Sequence, residues 1–309
     1  MKGWVVTGAA LLAVPAIPSP YYVNIASQVL IAAIFALSLD LLVGHAGLTS
    51  LGHAAYLGVA AYAVAWLTTR AGLDHLPAAL AALALTLVMA AFFGVLALRG
   101  TGLAFLMITL ALGQILWGVA YRWVSLTGGD NGITGLTRPA PFGVDLARPG
   151  AFYLFTLAIA ALAFAAVAVF VRSPLGACLE GTRDQPRRMQ ALGHHVWLVR
   201  WIAFVLAGVV AGVAGVLFVY YNQFVGPQAL SLTGSAEVLL MVISGGAGTL
   251  AGPVVGAAVV IVLKNVVSAH LTRWVMLLGA VFVLIVVFMP DGLVPGIRRL
   301  WRTRSRSTA

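Results

Sequence analysis

Residues 150–171 read G-A-F-Y-L-F-T-L-A-I-A-A-L-A-F-A-A-V-A-V-F-V, and residues 172–200 continue R-S-P-L-G-A-C-L-E-G-T-R-D-Q-P-R-R-M-Q-A-L-G-H-H-V-W-L-V-R. The first stretch holds 22 residues without a charge, and about 20 apolar residues are enough for one helix to cross a bilayer. The second stretch holds seven charged residues: Arg172, Glu180, Arg183, Asp184, Arg187, Arg188 and Arg200. Because charged side chains are costly in lipid, the two stretches predict a membrane-spanning helix that meets water at Arg172.

Uncharged runs of this kind recur along the whole chain. Charged residues make up 8% of its 309 residues and hydrophobic residues 62%, whereas about a quarter of the residues in a soluble domain are charged. The runs are too uniformly apolar for the alternating ten-residue strands of a membrane β-barrel. The sequence therefore predicts an all-α polytopic membrane protein, with residues 1–309 forming a single transmembrane domain.

Proline, glycine and polar residues divide the runs into about ten transmembrane helices. We place them at 4–18, 21–43, 51–69, 76–98, 101–121, 150–171, 199–221, 233–244, 252–268 and 271–289. The first has the look of a signal peptide, but no convincing small-x-small cleavage site follows it, so we expect it to remain as a span. The eighth is short for a full crossing and is interpreted as a half-helix.

The basic residues orient these spans, because cytoplasmic loops are enriched in Lys and Arg. With ten spans, twelve basic residues share the side of the two termini: Lys2, Arg99, Arg172, Arg183, Arg187, Arg188, Arg200, Arg298, Arg299, Arg302, Arg304 and Arg306. Five lie on the other side: Arg70, Arg122, Arg138, Arg148 and Arg273. We therefore predict that both termini are cytoplasmic. Nine spans would place the basic C-terminus and residues 172–200 on opposite sides.

This topology places three segments outside the membrane. Residues 172–200 form a cytoplasmic loop, residues 290–309 a basic cytoplasmic tail, and residues 124–149 an external loop whose T-G-G-D-N-G-I-T-G-L sequence suits an ordered cap. The net charge of +10 follows from the cytoplasmic bias in basic residues and does not require a nucleic-acid partner. The single cysteine, Cys178, cannot form an internal disulfide.

Five polar residues fall within or near the predicted spans. They are Asp40, Gln114, Glu237, Lys264 and Asn265. Such residues usually face a bundle interior or an aqueous path, so they are candidates to line a translocation route. The alternative is that each makes an interhelical hydrogen bond or, like Asp40, lies at the end of a span.

Two glycine-rich breaks interrupt the apolar runs. They read G-H-A-G-L-T-S-L-G-H at 44–53 and G-G-A-G-T-L-A-G-P at 245–253. Broken helices in corresponding positions of two halves mark the pathway in many transporters, but here the two breaks are offset by one span, so an inverted repeat is only a hypothesis. Gly208, Gly212 and Gly215 have the small-xxx-small spacing of closely packed helices.

The residues give no support for catalysis. Neither lysine lies in a phosphate-binding G-x-x-x-x-G-K-[ST] loop, so any ATPase must be another chain. His45 and His53, like the adjacent His194 and His195, lack the further ligands of a metal site. We assign no metal and interpret these histidines as packing or interfacial residues.

Several longer motifs together resemble one known family. They are S-L-G-H-A-A-Y-L-G-V-A-A-Y (50–62), G-L-A-F-L-M-I-T-L-A-L-G-Q (102–114), T-G-G-D-N-G-I-T-G-L (127–136), S-P-L-G (173–176), A-L-G-H-H-V-W-L-V-R-W-I-A-F-V-L-A-G-V-V-A-G-V-A-G (191–215) and E-V-L-L-M-V-I-S-G-G-A-G-T-L-A-G-P-V-V-G-A (237–257). This combination is similar to the LivM-type permeases of bacterial branched-chain amino acid ABC importers. The resemblance covers most of the chain.

The resemblance implies an ABC importer permease fold in the bacterial plasma membrane and a set of partners. These are a second, LivH-like permease, two cytoplasmic ATPases that bind ATP and Mg²⁺, and a periplasmic solute-binding protein; the chain itself would hold no cofactor. A short cytoplasmic helix of such permeases seats on an ATPase, and Arg183–Gly193 matches its position. The residues implied in ATPase coupling are Glu180, Arg183, Asp184, Gln185, Pro186, Arg187, Arg188, Met189, Ala191, Leu192 and Gly193.

Two features of this segment bear on its expected role, one in comparison with the family and one in its own sequence. Members of the family usually carry a more acidic version, whereas this chain reads R-D-Q-P-R-R-M over 183–189 and keeps only Asp184 as an acid. Pro186 fits the first turn of a short helix, where its missing N–H costs little.

The resemblance implies branched-chain or other hydrophobic amino acids as substrates. Urea and amide permeases share the same fold and many of the same motifs, so urea or amides are the alternative substrate class. From the residues alone, a stand-alone secondary transporter with Asp40, Glu237 or Lys264 as ion-coupling groups is a further alternative, and a channel is a third.

Overall fold

The computed structural model of this chain describes residues 14–16, 19–139 and 145–268, together with short pieces between 276 and 299. The predicted spans 4–18 and 271–289 and the predicted tail 290–309 lie outside the described residues for most of their length.

Helices account for most of the described structure. The α-helices are α1 (Pro20–Asp40), α2 (Ala54–Thr69), α3 (His75–Ala97), α4 (Leu103–Arg122), α5 (Val124–Thr127), α6 (Pro149–Arg172), α7 (Pro174–Asp184), α8 (Pro186–Ala191), α9 (Val196–Asn222), α10 (Leu232–Gly245) and α11 (Gly252–Ser268). A π-helical turn, Leu41–Ala46, extends α1, and 3₁₀ turns lie at Val14–Ala16, Gly129–Asn131 and Pro227–Leu230. Two short strands, β1 (Ile133–Thr134) and β2 (Phe224–Val225), form an antiparallel pair with Ile133 opposite Val225.

These helices confirm the all-α class. Each predicted span between residues 21 and 268 coincides with one helix. Within the described residues, five helices are long and apolar enough to cross a membrane: Pro20–Ala46, His75–Ala97, Leu103–Arg122, Pro149–Arg172 and Val196–Asn222. α2, α10 and α11 are shorter apolar helices. The total of ten spans stays a prediction.

The helix α2 begins later than predicted because of the first glycine-rich break. Gly47 has φ +68°, a left-handed conformation that ends the π turn after α1. The chain from Gly47 to His53 is not helical, so α2 starts at Ala54 and has 16 residues. At 1.5 Å per residue this is about 24 Å, less than the full hydrocarbon thickness.

Two helices form the centre of the bundle and three form its perimeter. α1 with its π turn and α9 are buried over 83% and 67% of their most apolar windows, whereas α3, α4 and α6 are buried over only 17–28%. α9 packs against α1, α2 and α3, while α1 also packs against α6 and α11. The perimeter helices expose large apolar side chains such as Leu162 and Val169, as helices in contact with lipid do.

The small residues of α9 allow the close packing that their spacing predicts. A Cβ on Gly215 would lie 2.2 Å from the Leu57 carbonyl oxygen of α2, and one on Gly208 would lie 2.5 Å from the Ala90 methyl of α3. Both distances are shorter than any tolerated contact, so glycine is required for α9 to lie this near its neighbours.

The bundle has two distinct ends. At the end that we name the coupling end, α7 and α8 join α6 to α9, and the Arg200 guanidinium of α9 donates to the Thr182 carbonyl at 2.7 Å. At the other end, named the loop end, the strands β1 and β2 pair and the Tyr220 hydroxyl of α9 donates to the His75 carbonyl of α3 at 3.2 Å. The predicted topology places the coupling end in the cytoplasm.

Arg138 holds the described part of the 124–149 loop against the bundle. Its guanidinium donates to the carbonyls of Tyr220 at 3.3 Å and Tyr221 at 3.2 Å, and it lies 4.7 Å above the Phe152 ring. The same group donates to the Leu146 carbonyl at 3.4 Å. These contacts join the described part of the loop to α6 and α9.

We predict that Gly215→Ala lowers the free energy of unfolding by about 1–3 kcal/mol, because the added methyl group forces α9 away from α2. Gly118→Ala is the matched control, since a Cβ there meets nothing within 4 Å and the better helix propensity of Ala stabilises by up to about 1 kcal/mol. Thermal unfolding of the purified chain in detergent measures both. Equal midpoints for the two variants would contradict the packing described for α9.

Candidate functional site

The helices α7 and α8 form the segment that the family resemblance implies in ATPase coupling. Ser173 caps α7 by accepting the Gly176 N–H at 3.3 Å, and Leu179 and Thr182 bury one side of that helix. α8 begins at Pro186, in the first turn where this residue is expected, and none of its residues is buried. The segment therefore has one side held by the bundle and a second part exposed beyond it.

The predicted coupling residues divide into an inward and an outward group. Glu180 and Arg183 contact the end of α1: Arg183 donates to the Gly44 carbonyl, and Glu180 lies 2.9 Å from His45. Asp184 pairs with Arg183 at 2.9 Å. The outward group is largely exposed and consists of Gln185, Pro186, Arg187, Arg188, Met189, Ala191, Leu192 and Gly193. It includes an apolar side chain, Leu192, which is 68% exposed.

A chain of polar contacts leads from α7 into the bundle, and we name it the His45 junction. It consists of Glu180, His45, Asp40 and Gly248. His45 Nδ1 lies 2.9 Å from Glu180 Oε1, and because a carboxylate accepts, this nitrogen carries the hydrogen. His45 Nε2 lies 3.8 Å from Asp40 Oδ2, and Asp40 Oδ1 accepts the Gly248 N–H at 2.8 Å.

The centre of the junction is buried, whereas the Glu180 side chain at its outer end is 46% exposed. Asp40 is 1% exposed and His45 is 4% exposed. A buried carboxylate needs an opposite charge or hydrogen-bond donors, and Asp40 has both a backbone donor and an imidazole near it. The buried His45 thus occupies the interfacial position expected for it, between α7 and the end of α1.

The two glycine-rich breaks meet beside this junction. A Cβ on Gly44 would lie 2.1 Å from the Gly248 nitrogen, so the two backbones touch where neither residue has a side chain. Gly248 has φ +77°, which favours glycine for a second reason. The coupling end therefore links α7, the end of α1 and the turn between α10 and α11 in one contact.

A cavity with a few polar side chains in a mainly apolar lining lies nearer the loop end, and we name it the Glu237 cavity. Its volume is about 750 Å³, within the range of small-molecule sites. It is lined by Gln28, Ile31, Ala32, Phe35, Ala54, Leu57, Phe218, Tyr221, Asn222, Gln228, Ala229, Ser231, Thr233, Gly234, Glu237, Val238, Met241, Ile261, Lys264 and Asn265. These residues belong to α1, α2, α9, α10, α11 and the turn before α10.

An ion pair and an amide pair provide the polar part of this lining. Lys264 Nζ lies 3.0 Å and 3.2 Å from the two oxygens of Glu237. Asn265 Nδ2 donates to Gln28 Oε1 at 3.0 Å. The Lys264 side chain is 40% exposed and that of Glu237 is 22% exposed, so the ion pair is accessible from the cavity.

The structure separates the five polar residues predicted for a translocation route. Glu237, Lys264 and Asn265 line the Glu237 cavity. Asp40 lies in the His45 junction, and Gln114 is a half-buried residue of α4 that belongs to neither site. Within the residues described, no three His, Cys, Asp or Glu side chains are grouped closely enough to hold a metal ion.

One residue of these sites carries a recognisable signal in the sequence, and one pair of partners does not. Gln28 is an amide in the middle of an apolar run, and the same criterion that selected Asn265 would have selected it. His45 and Glu180 lie 135 positions apart, so only the fold reveals that they are partners.

Comparison of the sequence with known proteins identifies the family of the chain. The family described as branched-chain amino acid transport system / permease component matches residues 21–287. The chain belongs to this family. LivM, a high-affinity branched-chain amino acid transport system permease protein of Salmonella typhimurium LT2, is 29% identical over 92% of this chain and 72% of its own length. LivM of Escherichia coli K12 is 30% identical over 89% of this chain and 70% of its own length.

No solved structure matched the chain. As a member of this permease family with long apolar helices, the chain is a multi-pass membrane protein. The family match spans the His45 junction, the segment from α7 to α8 and the Glu237 cavity, which all lie between residues 21 and 287.

We predict that Glu180→Ala lowers the free energy of unfolding of this permease by about 1–2 kcal/mol, because the buried His45 loses its acceptor. Asp184→Ala removes an acid of the same segment whose pair with Arg183 is exposed, so its expected cost is below about 0.5 kcal/mol. Thermal unfolding in detergent compares the two. A smaller loss for Glu180→Ala than for Asp184→Ala would show that the junction does not stabilise the coupling end.

Proposed function

We propose that this chain is the transmembrane permease subunit of an ATP-driven importer for branched-chain or other hydrophobic amino acids. The observation that carries this proposal is that the segment from α7 to α8 has one part exposed to its surroundings and one part attached to the bundle. Its outward part is exposed at one end of the bundle, while Glu180 and Arg183 connect it to the buried His45 junction. Membership of the permease family supports the same function.

The partners follow from the same proposal. The chain forms half of the translocation pathway with a LivH-like second permease, and two cytoplasmic ATPases bind ATP and Mg²⁺. A periplasmic solute-binding protein delivers the substrate at the loop end. The absence of a phosphate-binding loop from the sequence supports the assignment of ATP hydrolysis to separate chains.

The contacts suggest how an ATPase would act on the permease. A force on the exposed residues of α8 reaches α7, because Gln185 and Pro186 join the two helices directly. From α7 it reaches Gly44 and His45 at the end of α1, and from there Gly248 between α10 and α11. The Glu237 cavity lies along α10 and α11, so closure of the ATPases would change the shape of the cavity.

The basic residues are the reason for assigning the coupling end to the cytoplasm. In the predicted ten-span topology, the exposed Arg187 and Arg188 lie on the side to which twelve of the 18 basic residues are assigned, which favours a cytoplasmic location in the bacterial plasma membrane. Because the same rule explains basic residues without any docking role, an experiment must separate the two explanations.

We expect the double charge reversal Arg187→Glu/Arg188→Glu to reduce ATP-driven leucine uptake by about tenfold or more, since charge pairs at interfaces are worth a few kcal/mol. The test uses the complete transporter in proteoliposomes and measures uptake, ATP hydrolysis and recovery of the ATPases with the permease. The matched control is Arg99→Glu/Arg172→Glu, which makes the same charge change at exposed residues of the same end, away from α8.

If the two double variants reduce uptake and recovery of the ATPases equally, Arg187 and Arg188 contribute only to the orientation of the chain in the membrane. Unchanged uptake and unchanged recovery of the complex in Arg187→Glu/Arg188→Glu would remove the docking role. Uptake that needs an ion gradient and no ATP would support a stand-alone secondary transporter instead.

A further inference from the structure

We propose that the Glu237 cavity binds the zwitterionic backbone of an amino acid, with the α-ammonium at Glu237 and the α-carboxylate at Lys264. The inference rests on the proposed function and deepens it, because it selects amino acids over urea and amides at the level of the permease. The proposal rests on one observation. An accessible ion pair, Glu237 with Lys264, lies beside apolar side chains in a cavity of about 750 Å³.

The charges of the cavity match a zwitterion. Among the described residues of its lining, Glu237 and Lys264 are the only Asp, Glu, Lys or Arg side chains. The site therefore offers one negative and one positive group, about 3 Å apart. A solute with a net charge would leave one charge of the site or of the solute without a partner.

The ion pair can open without leaving a charge uncompensated. Lys264 contacts both oxygens of Glu237. When an amino acid enters, Lys264 exchanges the Glu237 carboxylate for the substrate carboxylate, and Glu237 gains the substrate ammonium. Each charge then keeps an opposite partner and a charge-assisted hydrogen bond. Urea has no charge to offer, so it could not replace either member of the pair.

The remaining lining suits an aliphatic side chain. Ile31, Phe35, Leu57, Met241 and Ile261 contribute apolar surface to the same cavity. Gln28 and Asn265 lie on its polar side and are hydrogen-bonded to each other at 3.0 Å. A cavity with one polar and one apolar side orients a hydrophobic amino acid, since only one of its two ends carries charge.

The position of the cavity connects substrate binding with the coupling end. α10 carries Glu237 and ends at Gly245, next to the turn in which Gly248 contacts Gly44. Eight residues of helix separate Glu237 from Gly245, a length of about 12 Å. A shift of this helix therefore changes the carboxylate position and the glycine contact together.

Protection of an engineered cysteine from a small thiol reagent tests the proposal. Cys178 is the single cysteine, so Cys178→Ser gives a background without thiols. Thr233→Cys is then introduced, because Thr233 is an exposed lining residue one helical turn before Glu237. Leu232→Cys is the matched control, since Leu232 is exposed at the same helix end and does not line the cavity.

The labelling rate is measured on the full chain in membrane vesicles without ATP and without a binding protein. We expect leucine to slow the labelling of Thr233→Cys in a saturable way, by about tenfold at ten times its dissociation constant. We expect 4-methylpentanoate, 3-methylbutylamine and urea, which lack the ammonium, the carboxylate or both, to give no protection. Leu232→Cys should react at the same rate with every solute.

Two results would overturn the proposal: no protection by leucine, or equal protection by urea or by either half of the zwitterion. A neutral pair, Glu237→Gln/Lys264→Met, should abolish protection while the variant elutes at the wild-type volume; protection retained in this variant would also overturn it. The proposed function fails separately, if the complete transporter shows no ATP-driven leucine uptake. Protection without such uptake would leave the binding site standing and remove the importer.

Discussion

The contact between Gly44 and Gly248 is the constraint on which the coupling end depends. Two backbones meet at a distance that excludes even a methyl group, since a Cβ on Gly44 would lie 2.1 Å from the Gly248 nitrogen. This contact brings Asp40 into hydrogen-bonding distance of the Gly248 N–H. His45 and Glu180 then extend the connection to α7. Asp40 and His45 each have one hydrogen-bond partner from a different segment, Gly248 and Glu180, and these two bonds offset part of the cost of burying them.

The second group of charges follows the same physical rule at the other end of the bundle. Glu237 and Lys264 pair with each other, and Gln28 pairs with Asn265. α10 joins the two regions, because it begins beside the cavity and ends beside the glycine contact. In the proposed importer this helix is the link between the substrate and the ATPase.

Local features of the fold could be predicted from the sequence, whereas the pairs of residues in contact across the bundle could not. Uncharged runs located α1 and α9 within a few residues, and Pro186 marked the start of α8. Small residues at 208, 212 and 215 predicted close packing of α9, which the Gly215 contact confirms. Hydrophobicity and helix punctuation depend on neighbouring residues, so these features can be read directly from the chain.

Contacts between distant segments could not be read in this way. In the sequence Asp40 and Glu237 are both acids near predicted spans, yet the fold places Asp40 at the coupling end and Glu237 in the cavity. The two breaks did not occupy corresponding spans, and sequence gave no reason for them to touch. Their contact depends on the positions of α1 and α10 in three dimensions.

The most direct test is the number of leucine molecules imported per ATP hydrolysed by the complete transporter carrying Gly44→Ala. The added methyl group must separate the end of α1 from the turn between α10 and α11, while α8 keeps its exposed surface for the ATPase. We predict normal recovery of the complex and continued ATP hydrolysis, with the ratio of leucine to ATP reduced by about tenfold or more, equivalent to about 1.4 kcal/mol of lost coupling. An unchanged ratio would contradict the role of this contact in coupling.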